Sequence, residues 1–282
     1  MSRSTLTPGE LTPGAIPGSP GFTGSPGSLP ISRLSFNQIT AERASLGEVV
    51  EACARHGVPY IAVWRHKLAE TGLDRAVRLV RDAGLRVSSV CRGGMFPAAT
   101  GEERAARIED NRRAVDEAAA LGAGVLVLVC GAAPDRDIAA ARRMVADGIA
   151  ELVPCARERG VRLGIEPMHP GFAAERFDLS TVGVVADVYH IWWDPELYDQ
   201  LARAAGLLVG FHVSDWLVPV HDVLMNRGMM GDGVIELCRM RAAVDRAGYA
   251  GPIEVEIFNQ AVWDTPLGIL VPLVKERYLA CV

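Results

Sequence analysis

No two of the six cysteines in this 282-residue chain have the close spacing of a thiolate metal or redox site. Cys53, Cys91, Cys130, Cys155, Cys238 and Cys281 are scattered, several of them in apolar runs such as VLVLVCG. They read as reduced core residues, and a cytoplasmic location is expected from that. Basic residues are also scarce. Lys and Arg total 29 against 34 Asp and Glu, for a net charge of −5 and a pI near 5.7. That balance argues against a nucleic-acid partner, because phosphate binding draws on a basic face. No apolar run approaches the roughly 18 residues of a membrane span, and no basic segment followed by an apolar one marks a secretion signal, so no membrane association is expected. No GxGxxG follows the first strand. CRGGMF has two adjacent glycines without the spacing or the lysine of a phosphate loop, and reads as a tight turn.

What is present is a chain 49% apolar and 22% charged, the mixture of a globular protein with a large core. Residues 1–33, with TPGELTPG, IPGSPG and TGSPGSLP, carry proline and glycine at turn density and little that could enter a core, so they are expected to form a disordered extension. From Leu34 the pattern changes. Short apolar runs (RLSFNQI, PYIAVW, LRVSSVC, GVLVLVC, VRLGIE, VGVVAD, LLVGFHV, PIEVEIF) alternate with helical stretches such as SLGEVVEACARHG and LDRAVRLVRDAG. Thr100 and Glu103 have the spacing of a capping box. Gly57, Gly84, Gly122, Gly160, Gly206 and Gly248 each lie just before a strand, where a left-handed helix terminus favours glycine. The expected fold is α/β, a single (β/α)₈ barrel over residues 34–282; a doubly wound sheet of this length would have fewer strands.

Functional residues of such a barrel sit at the carboxyl ends of its strands. Four successive ends break the apolar pattern with ligand-type side chains: Glu166 on strand five, Asp187 on six, His212 on seven and Glu256 on eight. One such carboxylate would read as a helix cap or rim ion pair. Three that converge on a barrel axis repel one another and call for a cation. Three carboxylates and one imidazole suit Mn²⁺ first, with Mg²⁺, Co²⁺ or Zn²⁺ as alternatives. Glu254 shares a face with Glu256, so alternation does not separate them; Glu256 is preferred as nearer the strand end.

With these residues marked, the region from about Arg162 to Asn259 resembles the xylose isomerase-like barrels, in particular the sugar phosphate isomerase/epimerase group with its ketose 3-epimerases and inosose isomerases. The resemblance lies in LGIEPMHP, DVYHIWWDP, GFHVSDW and GPIEVEIF, in order, with RGMMGDGVIEL as the loop before the last helix. It implies that Glu166, Asp187, His212 and Glu256 bind one metal ion, and that Glu166 and Glu256 also act as acid and base. It further implies that His190 touches a substrate oxygen and that Arg227 binds substrate.

The chemistry expected of such a site is proton abstraction next to a polarised carbonyl, through a metal-stabilised enediolate. Return of the proton from the other face epimerises the centre; return to the neighbouring carbon isomerises the substrate. A sugar-like small molecule is the expected substrate and a homo-oligomer the expected assembly. Trp192, Trp193, Phe211, Trp216, Phe258 and Trp263 lie near the motifs, and Trp192 and Trp216 are taken as substrate-binding. A wide, tryptophan-lined pocket also fits the catalytic subunits of C-glycoside deglycosidases, which cleave 3-oxo aryl glycosides by elimination; a hetero-oligomer would then follow. An apurinic endonuclease fits less well, since strand four ends in Cys130–Gly131 rather than a ligand and the chain is acidic. Arg65, Lys67 and Arg92 are weighed as an anion site but read better as solvated charges. His66, His169 and His221 read as solvated or capping, and His56 as structural.

Overall fold

The computed structural model describes residues 30–167 and 180–282. Eight parallel strands close into a barrel: Leu34–Asn37, Tyr60–Trp64, Arg86–Gly94, Val125–Val129, Arg162–Glu166, Val182–Asp187, Leu208–Val213 and Ile253–Val255. All eight expected strands are present in order, with the first hydrogen-bonded to both the second and the eighth. The valine-rich strands suit burial on both faces, as a parallel sheet under helices requires.

Two apolar layers result. Cys91, Val125, Val127, Val185 and Val209 pack inside the barrel, while a much larger cluster fills the space between strands and helices. The helices begin where their caps lie. Ser45 and Glu48 form a reciprocal capping box for Leu46–Arg55, and Thr100 with Glu103 does the same for Gly101–Ala120. The six glycines expected at helix ends all have positive φ, between 67° and 89°.

CRGGMF is not a separate turn. The third strand runs through it to Gly94, with a register shift between Cys91 and Gly93 against the fourth strand. Gly94 has φ +101°, and a Cβ there would lie 2.1 Å from the carbonyl oxygen of Val129, so only glycine fits. Of the expected N-terminal extension, residues 1–29 lie outside the described residues. Ile31–Arg33 form a 3₁₀ turn, and Arg33 donates to the carbonyls of Gly251 and Tyr249 and to Asp245. Among the described residues no helix is long and apolar enough to cross a membrane.

Candidate metal centre

Strand register sets the site. Asp187 and His212 are partners across strands six and seven, and Glu166 is the last residue of strand five, just past the Ile165–Val184 pair. Glu256 follows the end of strand eight, its amide still donating to Val213 of strand seven. The side chains of Glu166, Asp187, His212 and Glu256 therefore leave four adjacent strands at or just past their carboxyl ends. All four are buried, and one ligand-type atom from each lies within 4.8 Å of the other three.

Their contacts are close but poorly directed. His212 Nδ1 is 3.3 Å from Glu166 Oε1 and 3.5 Å from Glu256 Oε2, yet both ring nitrogens and Glu166 Oε1 lack an aligned hydrogen bond. Buried polar atoms are normally paired, so orphaned Glu166 Oε1 and His212 Nδ1, side by side within the cluster, mark a missing partner. A divalent cation would supply it, and the oxygen and imidazole donors suit one.

The charge balance is consistent with this. Burial would lower the pKa of His212, but Glu254, Glu256 and Glu166 outweigh it and hold the imidazole protonated well above its usual range. Burial would instead raise Asp187; the Arg227 guanidinium foremost keeps it below the ordinary carboxylate value. For Glu256 burial prevails, and its pKa is raised despite His212 and Arg227.

Arg227 enters from the loop after strand seven. A short antiparallel ladder pairs Asp215 with Gly228 and Trp216 with Arg227. Asp215 pins the loop by accepting from the amides of Trp216, Gly231 and Ile235. Arg227 Nη1 donates to Asp187 Oδ2 at 2.7 Å and Glu256 Oε2 at 3.1 Å. Its Nη2 lies 3.1 Å from His190 Nε2. Because the guanidinium can only donate, Nε2 of His190 accepts and its ring proton sits on Nδ1. Tyr189 and Phe258 flank the guanidinium at 4.6 and 5.0 Å.

Six of the expected residues thus come together: Glu166, Asp187, His212, Glu256, His190 and Arg227. Trp216 packs on Tyr189 with ring centroids 4.6 Å apart, and Trp192 packs on Trp216, so both stand behind Arg227 rather than beside the four ligands. Trp193 is exposed, and Trp263 packs on Phe258. Phe211 is fully buried in the helix-facing core and takes no part in the pocket, because it alternates with inward-facing His212. Arg65 is bound by Asp110 and Glu117, and Lys67 lies 3.5 Å from Glu70 and 3.8 Å from Glu42, which leaves exposed Arg92 as the cation of that trio without a carboxylate partner shown. His66 contacts Glu42, His221 is exposed and His56 caps a helix. His169 lies outside the described residues.

Two contributors escaped sequence reasoning. Asn37, at the end of strand one, donates to Glu256 Oε1 at 3.2 Å and Glu254 Oε2 at 3.3 Å. Trp64, at the end of strand two, donates its indole N–H to Asn37 at 2.8 Å. Trp64 also walls a cleft of about 530 Å³ with Arg92, Gly93, Met95, Arg107 and Asn111.

Known proteins share this architecture. A solved structure of protein SMc04130 from Sinorhizobium meliloti 1021 is 45% identical, with a TM-score of 0.85 over 89% of this chain and 99% of that one. A structure of IOLI protein with a bound zinc atom is 20% identical with a TM-score of 0.78, over 88% of this chain and 97% of that one, a likeness of fold. A 3-dehydroshikimate dehydratase of Pseudomonas aeruginosa is 27% identical over 242 residues, and the chain spans 37% of that curated relative's length. The xylose isomerase-like TIM barrel family matches residues 50–271, and the chain, with its closed eight-stranded barrel, belongs to that family.

Proposed function

We propose that the chain is a divalent-metal-dependent enzyme that moves a proton next to the carbonyl of a sugar or polyol ketone, as an isomerase or epimerase. The observation that carries this reading is the cluster of buried ligand atoms with orphaned Glu166 and His212 at its centre. Glu166, Asp187, His212 and Glu256 would hold the ion, with Mn²⁺ expected. A divalent cation there would polarise the substrate carbonyl and acidify the adjacent C–H.

The chain's own residues would do the rest. Glu166 would accept the proton on the carboxylate oxygen that the ion does not take. Glu256, its two oxygens oriented by Asn37 and Arg227, would return the proton from the other side. Arg227 fixes Asp187 and Glu256 and presents His190, whose ring can turn its Nδ1–H toward a substrate oxygen. The cleft beside Trp64 would take the part of the substrate remote from the reacting carbon.

A second reading keeps the same first step and ends in elimination. The likeness to a 3-dehydroshikimate dehydratase favours it: after proton loss, a hydroxyl or aglycone two bonds away departs with its electron pair as the new double bond forms. Incubation with ketoses, inositol ketones, cyclic hydroxy-ketone acids and 3-oxo aryl glycosides, with Mn²⁺ or EDTA and products followed by NMR, separates these. An epimer or isomer supports the first reading and an unsaturated product the second. No metal-dependent product from any of them contradicts both.

A further inference from the structure

Strand eight carries a buried acid that the metal reading leaves without a role. Glu254 is 3% exposed, and it stands outside the group of four ligand-type residues. Its Cα is the register partner of His212, so the two side chains leave neighbouring strands side by side and enter the barrel together. Alternation puts Glu254 on the same face as Glu256 and one layer deeper.

The imidazole of His212 separates the two layers. Its Nδ1 edge faces Glu166 and Glu256 at 3.3 and 3.5 Å, and its Nε2 edge faces Glu254 Oε2 at 3.2 Å. The last contact has hydrogen-bond length but is oblique, as the ring lies between carboxylates on both edges. Glu254 is itself held, since Asn37 donates to the same oxygen. Beneath the pair, where such barrels are usually filled by branched side chains, lies a cavity of about 230 Å³. Ser88, Ser89, Tyr60 and Tyr249 contribute to its wall, and His212 and Glu254 lie along it. Val87, Val125, Val127, Val185 and Val209 line much of the rest of the wall, so the polar groups gather around Glu254 and His212 in an otherwise apolar interior.

We infer that Glu254 is a positioning residue: it holds His212 from behind in the Nε2–H form, so that Nδ1 presents its lone pair to the metal, and it is not itself a ligand. A carboxylate facing Nε2 demands a proton on that nitrogen, and a neutral ring then has its lone pair on Nδ1. Ligating histidines are generally oriented by a group of this kind, and its loss typically weakens metal binding about 10–100-fold. The inference rests on the metal reading above, but the two can fail separately.

The test is Zn²⁺ binding by calorimetry on the full chain, with long-range ¹H–¹⁵N histidine spectra of the Zn²⁺-loaded protein and His212→Asn to assign the signal. Wild type should bind one ion per chain with His212 protonated on Nε2. Glu254→Gln should keep that stoichiometry and bind about 10–100-fold more weakly. Glu254→Asp keeps the charge but withdraws the carboxylate by one methylene; it should fail to restore affinity, whereas a role in charge balance alone would be rescued. An Nδ1–H tautomer in the loaded wild type overturns the inference whether or not the variants fold. So does unchanged affinity in Glu254→Gln, or loss of the site in Glu254→Gln with retention in Glu256→Gln, which would make Glu254 the ligand. A wild type that binds no ion overturns the metal reading itself.

Discussion

Metal binding should expel a proton from His212. In the metal-free protein its ring lies within 3.5 Å of Glu166, Glu254 and Glu256. At an effective dielectric of about 20, each contact of this kind contributes about 4 kcal/mol of attraction. Burial opposes protonation, but the carboxylates prevail and the imidazolium persists well above its ordinary pKa. A ligating nitrogen cannot carry that proton, so the ion must displace it. About one proton should be released per ion at neutral pH, and the association constant should rise about tenfold, or about 1.4 kcal/mol, per pH unit while His212 remains protonated in the free protein. Calorimetry in two buffers of different ionisation enthalpy gives the proton count directly. The sign for stability runs the same way. A raised folded pKa stabilises the metal-free fold fully below the unfolded value of about 6.5, and that contribution is lost as pH rises through the folded value. Heats that do not depend on buffer, with affinity flat between about pH 6 and 8, would refute this picture of the site.

Other perturbations probe the frame around the site. Gly94→Ala would drive a Cβ into the Val129 carbonyl at a positive φ and should cost at least about 2 kcal/mol, seen as a Tm lowered by several degrees; an unchanged Tm would mean strand three can move away. Asn37→Ala leaves the Trp64 indole N–H without its acceptor and removes one donor each from Glu254 and Glu256, and should cost about 1–3 kcal/mol in denaturant unfolding. Burial pushes the thiols of Cys53 and Cys130 up to about 12, and Cys91 is fully enclosed, whereas Cys238 is exposed. A thiol reagent at mildly alkaline pH should therefore modify Cys238 quickly and spare those three until the protein unfolds.

Much of this was legible before any coordinates. Strands and helix ends followed from hydrophobic alternation and the placement of glycine, and the strand-end rule found Glu166, Asp187, His212 and Glu256. It found them because charge at the end of an apolar strand is conspicuous. Asn37 and Trp64 occupy equivalent ends of strands one and two, but an amide and an indole do not interrupt a pattern as a carboxylate does. Alternation put Glu254 and Glu256 on one face and nearness to the strand end favoured Glu256, but only the register shows that Glu254 stands opposite His212. Arg227 was marked only by resemblance, since its position depends on a two-residue ladder with no sequence signature of its own. The extension of strand three through CRGGMF was hidden because two glycines signal a turn and a tight strand contact equally well. Phe211 faces the helices, because the alternation that turns His212 inward turns its neighbour out.

The central claim is that the buried cluster holds a catalytic ion with a carboxylate free to take a proton. Solvent deuterium exchange into the carbon beside a ketone carbonyl tests it most directly, measured across the substrate panel with metal content determined on the same samples. Exchange is expected with Mn²⁺ bound, lost on chelation and restored on adding the ion back, and absent in Glu166→Gln even where that variant still holds metal. A chain that binds no divalent ion, or exchange that persists unchanged in Glu166→Gln, would contradict the account.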